Sequence, residues 1–486
     1  MKPLIIFFIC SFAIVTCDGS ADVHTGDMHI IDEANRVRLY HGVNFVRKEF
    51  PWYPSELLDP SFVTNLAQNG LNVVRLGIMW AGVEPQQQQY NVTYLNIMKQ
   101  IVESLESNNI YVLFDMHQDV LSSRFGTYDG IPLWLYDQFP PSNHPYPWPL
   151  PSPPSDGNWA LGYLTEACSH GFQCLYDNVA GAVDSMSNFW RLIATTFGHY
   201  TNILGYELIN EPWAGNYLAD PALLLPGIAG SKNLQPFYDK LANAIRSVDD
   251  KTLIFYEPVT YGVRLNGKLF GTGFSHVPGG KAYRDRSVLS YHYYCTILAI
   301  NPVPGSDTIP VFDRVLCNDI EGPAVFQSVK NELFRLGGAG FLTEFGGCDG
   351  SSVCDNQLEA GMLEADKYLQ SWTYWGNSYS SMALIERLSR VYARAIAGTP
   401  ISMAYHPDKR VFNLYYYADK TINKPTEIYV PFLHYPQASY NVIVNRYLKW
   451  KVDPTDSNII LVEPSQHFMN SIFKKVIGTV EIRSTV

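Results

Sequence analysis

The sequence predicts an α/β protein, a (β/α)₈ barrel followed by a C-terminal antiparallel β-sandwich. Two observations support the barrel: eight short apolar runs lie between residues 38 and 376, and helical periodicity separates several of them. Alternating strands and helices favour parallel strands joined by crossover helices, and eight such units close a barrel. An open doubly wound sheet is the alternative, but no Gly-x-Gly-x-x-Gly turn follows the first run.

The predicted strands are short and bounded by polar or turn-forming residues. They cover residues 38–45, 72–80, 110–119, 203–213, 252–258, 287–294, 340–347 and 368–376. Between them, helical spacing of apolar residues is clearest from Tyr94 to Leu105 and from Phe189 to Phe197. The predicted barrel, with its connecting segments, covers residues 21–398.

After residue 398 the sequence consists of short aromatic and β-branched segments broken by turn residues. This pattern is typical of a small antiparallel sandwich, which we expect over residues 399–486. Its many tyrosines could bind carbohydrate or a membrane. Packing against the barrel is the more common reason for such aromatic residues.

The first twenty residues resemble a secretory signal peptide. Lys2 precedes an apolar run from Leu4 to Val15, which is too short to span a bilayer comfortably, and small or polar residues follow it. We expect cleavage of residues 1–20 and a secreted protein, with a digestive cavity or a lysosome-like compartment as possible destinations. An N-terminal anchor or a buried helix is the alternative.

Charge and cysteine content exclude several classes of function. A formal net charge of -11, without a basic block, argues against binding to nucleic acid or nucleotides.

An oxidising compartment favours disulfides between neighbouring cysteines, with buried free thiols as the alternative. The three candidate pairs are Cys168 with Cys174, Cys295 with Cys317, and Cys348 with Cys354. No Cys-x-x-Cys spacing indicates zinc, and Asn91 begins a single glycosylation sequon.

Ionisable or hydrogen-bonding residues lie in or at the end of most predicted strands, where a buried strand should not carry them without a partner or a function. They are Arg75, His117, Asp119, Asn210, Glu211, His292, Tyr294, Glu344 and Trp375. Because the carboxyl ends of barrel strands meet at one pole, these side chains should share one pocket. Two carboxylates in one pocket suit glycosidic bond cleavage, in which one protonates the leaving oxygen and the other attacks or activates water.

The motifs that carry these residues resemble those of the family-5 glycoside hydrolases, retaining enzymes of clan A. They are "LINEP" with Asn210 and Glu211, "LTEFGG" with Glu344, "DMHQD" with His117, and "YHYY" with His292 and Tyr294. Within that family, "GVNFVRKEFP", Asp119 and the added C-terminal sandwich resemble the endoglycoceramidases. The resemblance covers nearly the whole chain after the signal peptide.

The resemblance implies hydrolysis of the bond between oligosaccharide and ceramide in a glycosphingolipid, presented in micelles or membranes. It implies that Glu211 is the general acid and base, that Glu344 is the nucleophile, and that Asn210 binds the sugar 2-hydroxyl. Lys48, Asp119, Trp159 and Trp375 would hold the sugar. We expect no cofactor and no metal, since His117 and His292 lack accompanying ligand spacing and are expected to be neutral. We also expect a monomer.

Position and charge agree with this division of roles. Arg75 and Tyr294 are placed to keep Glu344 ionised, and partial desolvation beside that charge should keep a proton on Glu211. A proline-rich segment, residues 137–159, should lie over the barrel mouth and face the substrate, although a low-complexity linker is the alternative. With the apolar residues 218–230 it could line a lipid channel, or the latter could simply pack in the core.

Two other functions fit the sequence less well. One is a different family-5 specificity, such as a β-glucanase or an enzyme acting on simple glycosylceramides or steryl glucosides. The other is a secreted protein that binds glycolipid without cleaving it. Presence of both Glu211 and Glu344 argues against the second, because binding alone requires neither an acid nor a nucleophile.

Overall fold

The computed structural model describes residues 22–126, 129–154, 156–260, 271–295, 315–346, 352–376 and 382–485. The predicted signal peptide therefore lies outside the described residues. The described residues begin with three short antiparallel strands, β1 (Val23–Gly26), β2 (His29–Asp32) and β3 (Val37–Arg38). Within the described residues, no helix is long and apolar enough to cross a membrane.

Eight parallel strands then form a closed barrel, which confirms the predicted fold class. They are β4 (His41–Phe45), β5 (Val73–Gly77), β6 (Tyr111–Asp115), β7 (Ile203–Glu207), β8 (Leu253–Tyr256), β9 (Ser287–Tyr293), β10 (Ala339–Phe345) and β11 (Ser371–Tyr374). Seven fall within the predicted runs, and β10 begins one residue before its predicted run, 340–347. β11 pairs with β4 and β10 pairs with β9, so no strand edge remains open.

Helices and irregular segments surround the barrel. The α-helices cover Pro60–Gln68, Trp80–Val83, Val92–Glu106, Leu133–Tyr136, Glu166–Tyr176, Ala182–Phe197, Gln235–Arg246, Gly322–Leu336, Ser352–Tyr368, Met382–Leu388 and Gln466–Met469. Asn91 caps the helix Val92–Glu106, because its side chain accepts a hydrogen bond from the Tyr94 backbone N–H at 3.1 Å. The capping atom is Oδ1, so a glycan attached to the amide nitrogen is compatible with the cap. Glycosylation at Asn91 stays a prediction.

Two antiparallel sheets follow the barrel. Their strands are β12 (Tyr392–Ile396), β13 (Gly398–His406), β14 (Val411–Asp419), β15 (Thr426–Tyr429), β16 (Tyr440–Val444), β17 (Leu448–Val452), β18 (Ile459–Pro464) and β19 (Lys475–Ser484). One sheet has the order β13-β14-β19-β16. Apolar side chains from both sheets, including Phe412 and Ile460, form a core separate from that of the barrel.

The second sheet joins the two ends of the chain. Its order is β1-β2-β3-β12-β15-β18-β17, so the first strands after the predicted signal lie beside strands of the C-terminal region. The border at residue 398 stays a prediction; in the structure, β12 and the N-terminal strands belong to a sheet with strands of the C-terminal region. Composition could not reveal this, because the pairing partners are far apart in sequence.

The cysteines behave differently from one another. Cys295 and Cys317 form a disulfide with a Cα–Cα distance of 5.5 Å. Cys168 and Cys174 are buried free thiols, so their predicted pairing is wrong. Both lie on the helix Glu166–Tyr176, and six residues of helix separate their Cα atoms by about 9 Å, beyond the roughly 7 Å that a disulfide can span. Cys348 and the side chain of Cys354 lie outside the described residues.

At the start of the barrel, His41 lies between two aromatic rings. Its imidazole stacks on Trp372 of β11 at 4.3 Å and on Tyr392 of β12 at 3.7 Å between ring centroids. Neither ring nitrogen has a hydrogen-bond partner among the described residues. Burial, and secondarily the charge of Arg390, lowers the pKa of His41 well below its ordinary value.

The buried, neutral ring of His41 predicts that the free energy of unfolding falls in acid. Because the folded-state pKa is lowered, the stability contributed by the neutral ring is fully present above about pH 6.5 and is lost as the pH falls below that value. The slope from this one group is about 1.4 kcal/mol per pH unit. We expect the free energy of unfolding of His41→Phe, measured by denaturant titration, to fall less steeply with acidification than that of wild type. The exposed His406→Asn variant is the control, and equal slopes for all three proteins would contradict the prediction.

Candidate active site

The predicted site residues come together at the carboxyl pole of the barrel. Three of them lie within strands: Arg75 in the middle of β5, His292 in β9 and Glu344 in β10. The others follow the strand ends, since β6 ends at Asp115 and β7 at Glu207, earlier than the sequence predicts. Backbone hydrogen bonds nevertheless continue beyond both ends, as from Asn210 N–H to the Met116 carbonyl at 3.0 Å.

The two candidate catalytic glutamates face each other across a histidine. Carboxylate oxygens of Glu211 and Glu344 and a ring nitrogen of His292 all lie within 4.8 Å of one another. His292 Nδ1 is 2.9 Å from Glu211 Oε1 and 3.3 Å from Glu344 Oε2. This spacing suits a retaining glycosidase, in which the carboxyl groups are about 5 Å apart.

Glu344 is held by a cation and a hydroxyl. Arg75 Nη1 donates to one of its carboxylate oxygens at 2.7 Å, and the Tyr294 hydroxyl donates to the other at 2.9 Å. Burial and the charge of Glu344 raise the pKa of Tyr294 well above its usual value, so the hydroxyl keeps the proton that it donates. Both contacts favour the ionised carboxylate that a nucleophile requires.

Arg75 is the centre of a buried polar network. It is fully buried and donates to Glu207, to Asn44 Oδ1 at 3.0 Å and to Asn210 Oδ1 at 2.8 Å. Its Nη2 also lies 3.1 Å from Asp115 Oδ2. Although burial opposes its charge, the surrounding carboxylates raise the pKa of Arg75 well above its ordinary value. One guanidinium thereby fixes side chains from four different strands or strand ends.

A second polar group lies on the other side of the pocket. Lys48 pairs with Asp119, and its ammonium group is 4.7 Å from the ring centroid of Trp375 and 5.5 Å from that of Trp159. His117 stacks nearly parallel to Trp375 at 5.3 Å. A flat aromatic surface edged by charged donors and acceptors is suited to holding a sugar ring.

The two histidines differ in charge. Burial lowers the pKa of His292 to about 4, so this ring is neutral near pH 7, in agreement with the sequence-based expectation. For His117, burial also opposes the charge, but Asp115 at 2.7 Å and Asp119 at 3.7 Å raise its pKa. The expectation of a neutral His117 is therefore not supported by its surroundings.

Sequence reasoning missed five buried polar residues of the site: Asn44, Asp115, Gln118, Glu207 and Glu257. Asn44, Asp115 and Glu207 lie inside strands, and Glu257 directly follows β8. Each is a polar residue within or beside an apolar run, which is the same signal that identified Arg75. Gln118 donates from Nε2 to the backbone carbonyls of Asn210 and Glu211, at 2.6 and 3.0 Å.

Two triads of site residues have the spacing of metal ligands. They are Glu207, Glu257 and His292, and Glu211, His292 and Glu344. Arg75 lies against both, in contact with Glu207 and 2.7 Å from Glu344 Oε1. Because its guanidinium already balances these carboxylates, a divalent cation would meet strong repulsion in either triad.

Apolar residues continue outward from Glu211. Trp213 stacks on Tyr163 at 5.4 Å and contacts Tyr217 at 6.1 Å between ring centroids. The Tyr217 hydroxyl donates to the Leu164 carbonyl at 2.7 Å, which joins the segments after β6 and β7. The same two segments carry exposed aliphatic side chains: Leu161, Leu164, Leu224, Leu225 and Ile228.

Comparison with known proteins places this site in a family. The family model described as "Cellulase (glycosyl hydrolase family 5)" matches residues 34–381, and that of the glycoside hydrolase family 5 C-terminal domain matches residues 390–472. The chain is 35% identical to an endoglycoceramidase of Hydra vulgaris, with 94% of this chain and 89% of the relative covered. It is 34% identical to an endoglycoceramidase of Cyanea nozakii, with 85% and 86% covered.

A solved structure shows the same fold. Endo-glycoceramidase II from Rhodococcus sp., in complex with a five-membered iminocyclitol, superposes with a TM-score of 0.75 at 24% identity, covering 94% of this chain and 99% of that one. The match of the family model to most of the chain and the identity to curated relatives agree with the two-glutamate site. The chain therefore belongs to glycosyl hydrolase family 5, as a glycoside hydrolase of its endoglycoceramidase group.

Proposed function

We propose that this enzyme hydrolyses the bond between oligosaccharide and ceramide in glycosphingolipids, with Glu344 as nucleophile and Glu211 as general acid and base. The observation that carries the proposal is the asymmetry of the two glutamates. Glu344 receives hydrogen bonds from Arg75 and Tyr294, which favour its charge, whereas Glu211 contacts the neutral ring of His292. The relatives named endoglycoceramidases support the choice of substrate.

In the first step, an ionised Glu344 oxygen attacks the anomeric carbon of the sugar next to ceramide. The bond from that carbon to the ceramide oxygen breaks, and the leaving oxygen takes a proton from Glu211. The negative charge of Glu344 lies within 4.8 Å and favours retention of this proton until the leaving oxygen accepts it.

In the second step, water replaces ceramide. Glu211, now ionised, accepts a proton from water, whose oxygen attacks the anomeric carbon and releases Glu344. Two inversions at one carbon retain the configuration of the sugar. The same residue serves as acid and then as base because the charge on Glu344 disappears in the covalent intermediate and returns when that intermediate breaks down.

The sugar would lie over Trp375 and Trp159, between the charged groups of the pocket. Lys48 and Asp119 are placed to hydrogen-bond its hydroxyls, and Asp119 keeps its charge because, despite burial, Lys48 and His117 lower its pKa. The side-chain oxygen of Asn210 accepts from Arg75 at 2.8 Å, and one hydrogen of its amide group donates to the Gln118 backbone carbonyl at 2.9 Å, which leaves the second amide hydrogen for the substrate. We therefore assign the amide of Asn210 to the sugar 2-hydroxyl.

The lipid would leave the pocket on the side of Glu211. Trp213 and Tyr217 provide apolar surface beside the acid, and the segments after β6 and β7 carry exposed leucines. Burying a chain methylene there contributes roughly 0.8 kcal/mol, so the ceramide can supply much of the selectivity.

We also propose that the enzyme is secreted and acts on glycolipid in micelles or membranes. The disulfide between Cys295 and Cys317 supports an oxidising compartment.

A direct assay tests the proposal. Purified enzyme is incubated with a ganglioside in detergent and, separately, with a soluble β-glucan, and the released pieces are identified by mass spectrometry. We expect an intact oligosaccharide and free ceramide from the ganglioside. Faster cleavage of the glucan, or release of single sugars from the outer end, would assign a different family-5 specificity. Binding of ganglioside without any cleavage would indicate a noncatalytic glycolipid-binding protein.

If the enzyme recognises ceramide, its kcat/KM should depend on the aglycone of the substrate. We expect the double variant Leu161→Ser, Leu225→Ser to lose about 10-fold in kcat/KM on a glycosphingolipid, because two leucine side chains no longer cover the lipid. Replacing residues 140–155 with a Gly and Ser linker should act in the same direction. On the same glycan with a short polar aglycone, both variants should match wild type.

The matched control replaces the exposed turn 454–457 with Gly and Ser, which should leave activity on both substrates unchanged. Equal losses on the lipid and the short aglycone would show that the changes damage the sugar site. Equal efficiency of wild type on both aglycones would contradict the ceramide-directed specificity, while leaving the two-glutamate hydrolase intact.

A further inference from the structure

Glu257 is a buried acidic residue that has no role in the steps described above. It directly follows β8 and is 2% exposed. Its Oε1 accepts a hydrogen bond from the backbone N–H of Glu211 at 3.2 Å and lies 3.4 Å from Nε2 of His292. One carboxyl oxygen therefore accepts from the main chain of the proposed acid and also lies beside Nε2 of the bridging histidine, an atom that has no hydrogen-bond partner among the described residues.

Glu211 needs such support because its backbone is strained. Its φ is 42°, in the left-handed region that residues with a Cβ rarely adopt. Such a conformation is unfavourable and persists only where surrounding contacts hold it. Gln118 supplies part of this support through the carbonyls of Asn210 and Glu211. Glu257 holds the remaining polar atom, the N–H between those two carbonyls.

The surroundings of Glu257 determine its charge. It faces the carboxylates of Glu207, Glu211 and Glu344, the ring of His292 and, at 3.9 Å, the guanidinium of Arg75. Burial and the charge of Glu207 raise the pKa of Glu257 well above its ordinary value. A neutral carboxyl group has one carbonyl oxygen that accepts and one hydroxyl that donates. Glu207 has a carboxylate oxygen within 4.8 Å of one of Glu257, and its Oε1 is a buried acceptor with no hydrogen-bond partner among the described residues.

We propose that Glu257 is a positioning residue, whose carboxyl group holds the strained backbone of Glu211 and the ring of His292 so that the acid points at the leaving oxygen. This inference rests on the proposed role of Glu211 as general acid. If the carbonyl oxygen of Glu257 accepts from His292 Nε2–H, then Nδ1 is left as an acceptor. A protonated Glu211, 2.9 Å away, can donate to it before substrate arrives.

The proposal distinguishes two substitutions at this position. Glutamine is neutral, has the same shape, and offers the same carbonyl oxygen and a donor group in place of the hydroxyl. Leucine keeps the volume but removes the acceptor, which leaves the Glu211 N–H buried without a partner. We expect Glu257→Gln to retain activity within about threefold and Glu257→Leu to lose about 100-fold in kcat/KM on a glycosphingolipid, the lower range for loss of general acid catalysis.

The decisive experiment compares leaving groups. kcat/KM, which reports the glycosylation step, is measured for wild type, Glu257→Gln and Glu257→Leu on the phenyl and dinitrophenyl glycosides of one glycan. Dinitrophenolate leaves without protonation, so a defect in the acid should nearly disappear on that substrate. We expect the loss in Glu257→Leu to be about 100-fold with phenol and less than about fivefold with dinitrophenol, with KM little changed.

The outcomes separate this inference from the proposed function. Equal losses of Glu257→Leu on both glycosides would show a merely structural role and overturn the proposal. Loss of activity in Glu257→Gln would overturn it too, because the charged form would then be required. Glu211→Gln, measured beside them, should show the same dependence on the leaving group. If it does not, the proposed role of Glu211 is wrong, whatever Glu257 does.

Discussion

Glu344→Gln should lose at least about 10⁵-fold in kcat on a glycosphingolipid and on an activated aryl glycoside alike, since no covalent intermediate can form without the carboxylate. Binding should stay near wild type. Glutamine has the same shape, and its carbonyl oxygen can still accept the hydrogen bond from Arg75 or Tyr294. Turnover is measured by release of oligosaccharide, and binding by calorimetry with the intact glycolipid.

The control for this variant is Glu386→Gln, at an exposed position on the helix Met382–Leu388. It should match wild type in both measurements. Retention of more than about one per cent of the wild-type kcat by Glu344→Gln would assign the nucleophile to another residue. Loss of binding as well as turnover would show that the charge of Glu344 also holds Arg75 in place, and that the hydrogen bonds of Arg75 are lost without it.

The second large effect is expected at Glu211, and it depends on the substrate. Glu211→Gln should lose about 10³-fold or more in kcat/KM on a glycosphingolipid, whose ceramide oxygen needs a proton, and far less on a dinitrophenyl glycoside. On the activated substrate the intermediate should accumulate, because no base remains to activate water. Azide needs no base and should restore turnover, giving a glycosyl azide of retained configuration.

The product of azide rescue identifies each residue. A retained glycosyl azide from the Glu211 variant places the acid and base there, because azide attacks an intermediate that is already inverted. A retained azide product from the Glu344 variant instead would show that the two roles are exchanged. If Glu211→Gln lost kcat/KM equally on the glycosphingolipid and on the dinitrophenyl glycoside, acid catalysis by this residue would be contradicted.

The barrel could be predicted because its signals are local. Each strand is a short apolar run, and the assigned site residues other than Trp159 lie in such a run or within a few positions of its end, as Glu344 does in β10 and Trp375 does after β11. Glu211 and Glu344 could be found because both interrupt apolar strands with a charge. Their approach within 4.8 Å needs only the convergence of strand ends that a barrel imposes.

The remaining features depend on contacts that sequence does not encode locally. Glu257 matters because β7 and β8 are neighbours, which brings its carboxyl to the N–H of Glu211. The charge of His117 depends on two aspartates and cannot be read from the histidine alone. Cys168 and Cys174 misled the prediction because nearness in sequence becomes separation along a helix.

The sheet that joins β1–β3 to β12 has a consequence for biosynthesis. The side chain of Arg38 donates to the carbonyl of Arg394, 356 residues further along the chain. On the ribosome, the first strands to emerge must therefore wait for some of the last before they can pair. Until then β3 presents an open edge to other nascent chains. The barrel strands emerge before β12, so this sheet should be completed only after the barrel can close, and a polypeptide truncated after the barrel should keep the edge of β3 unpaired.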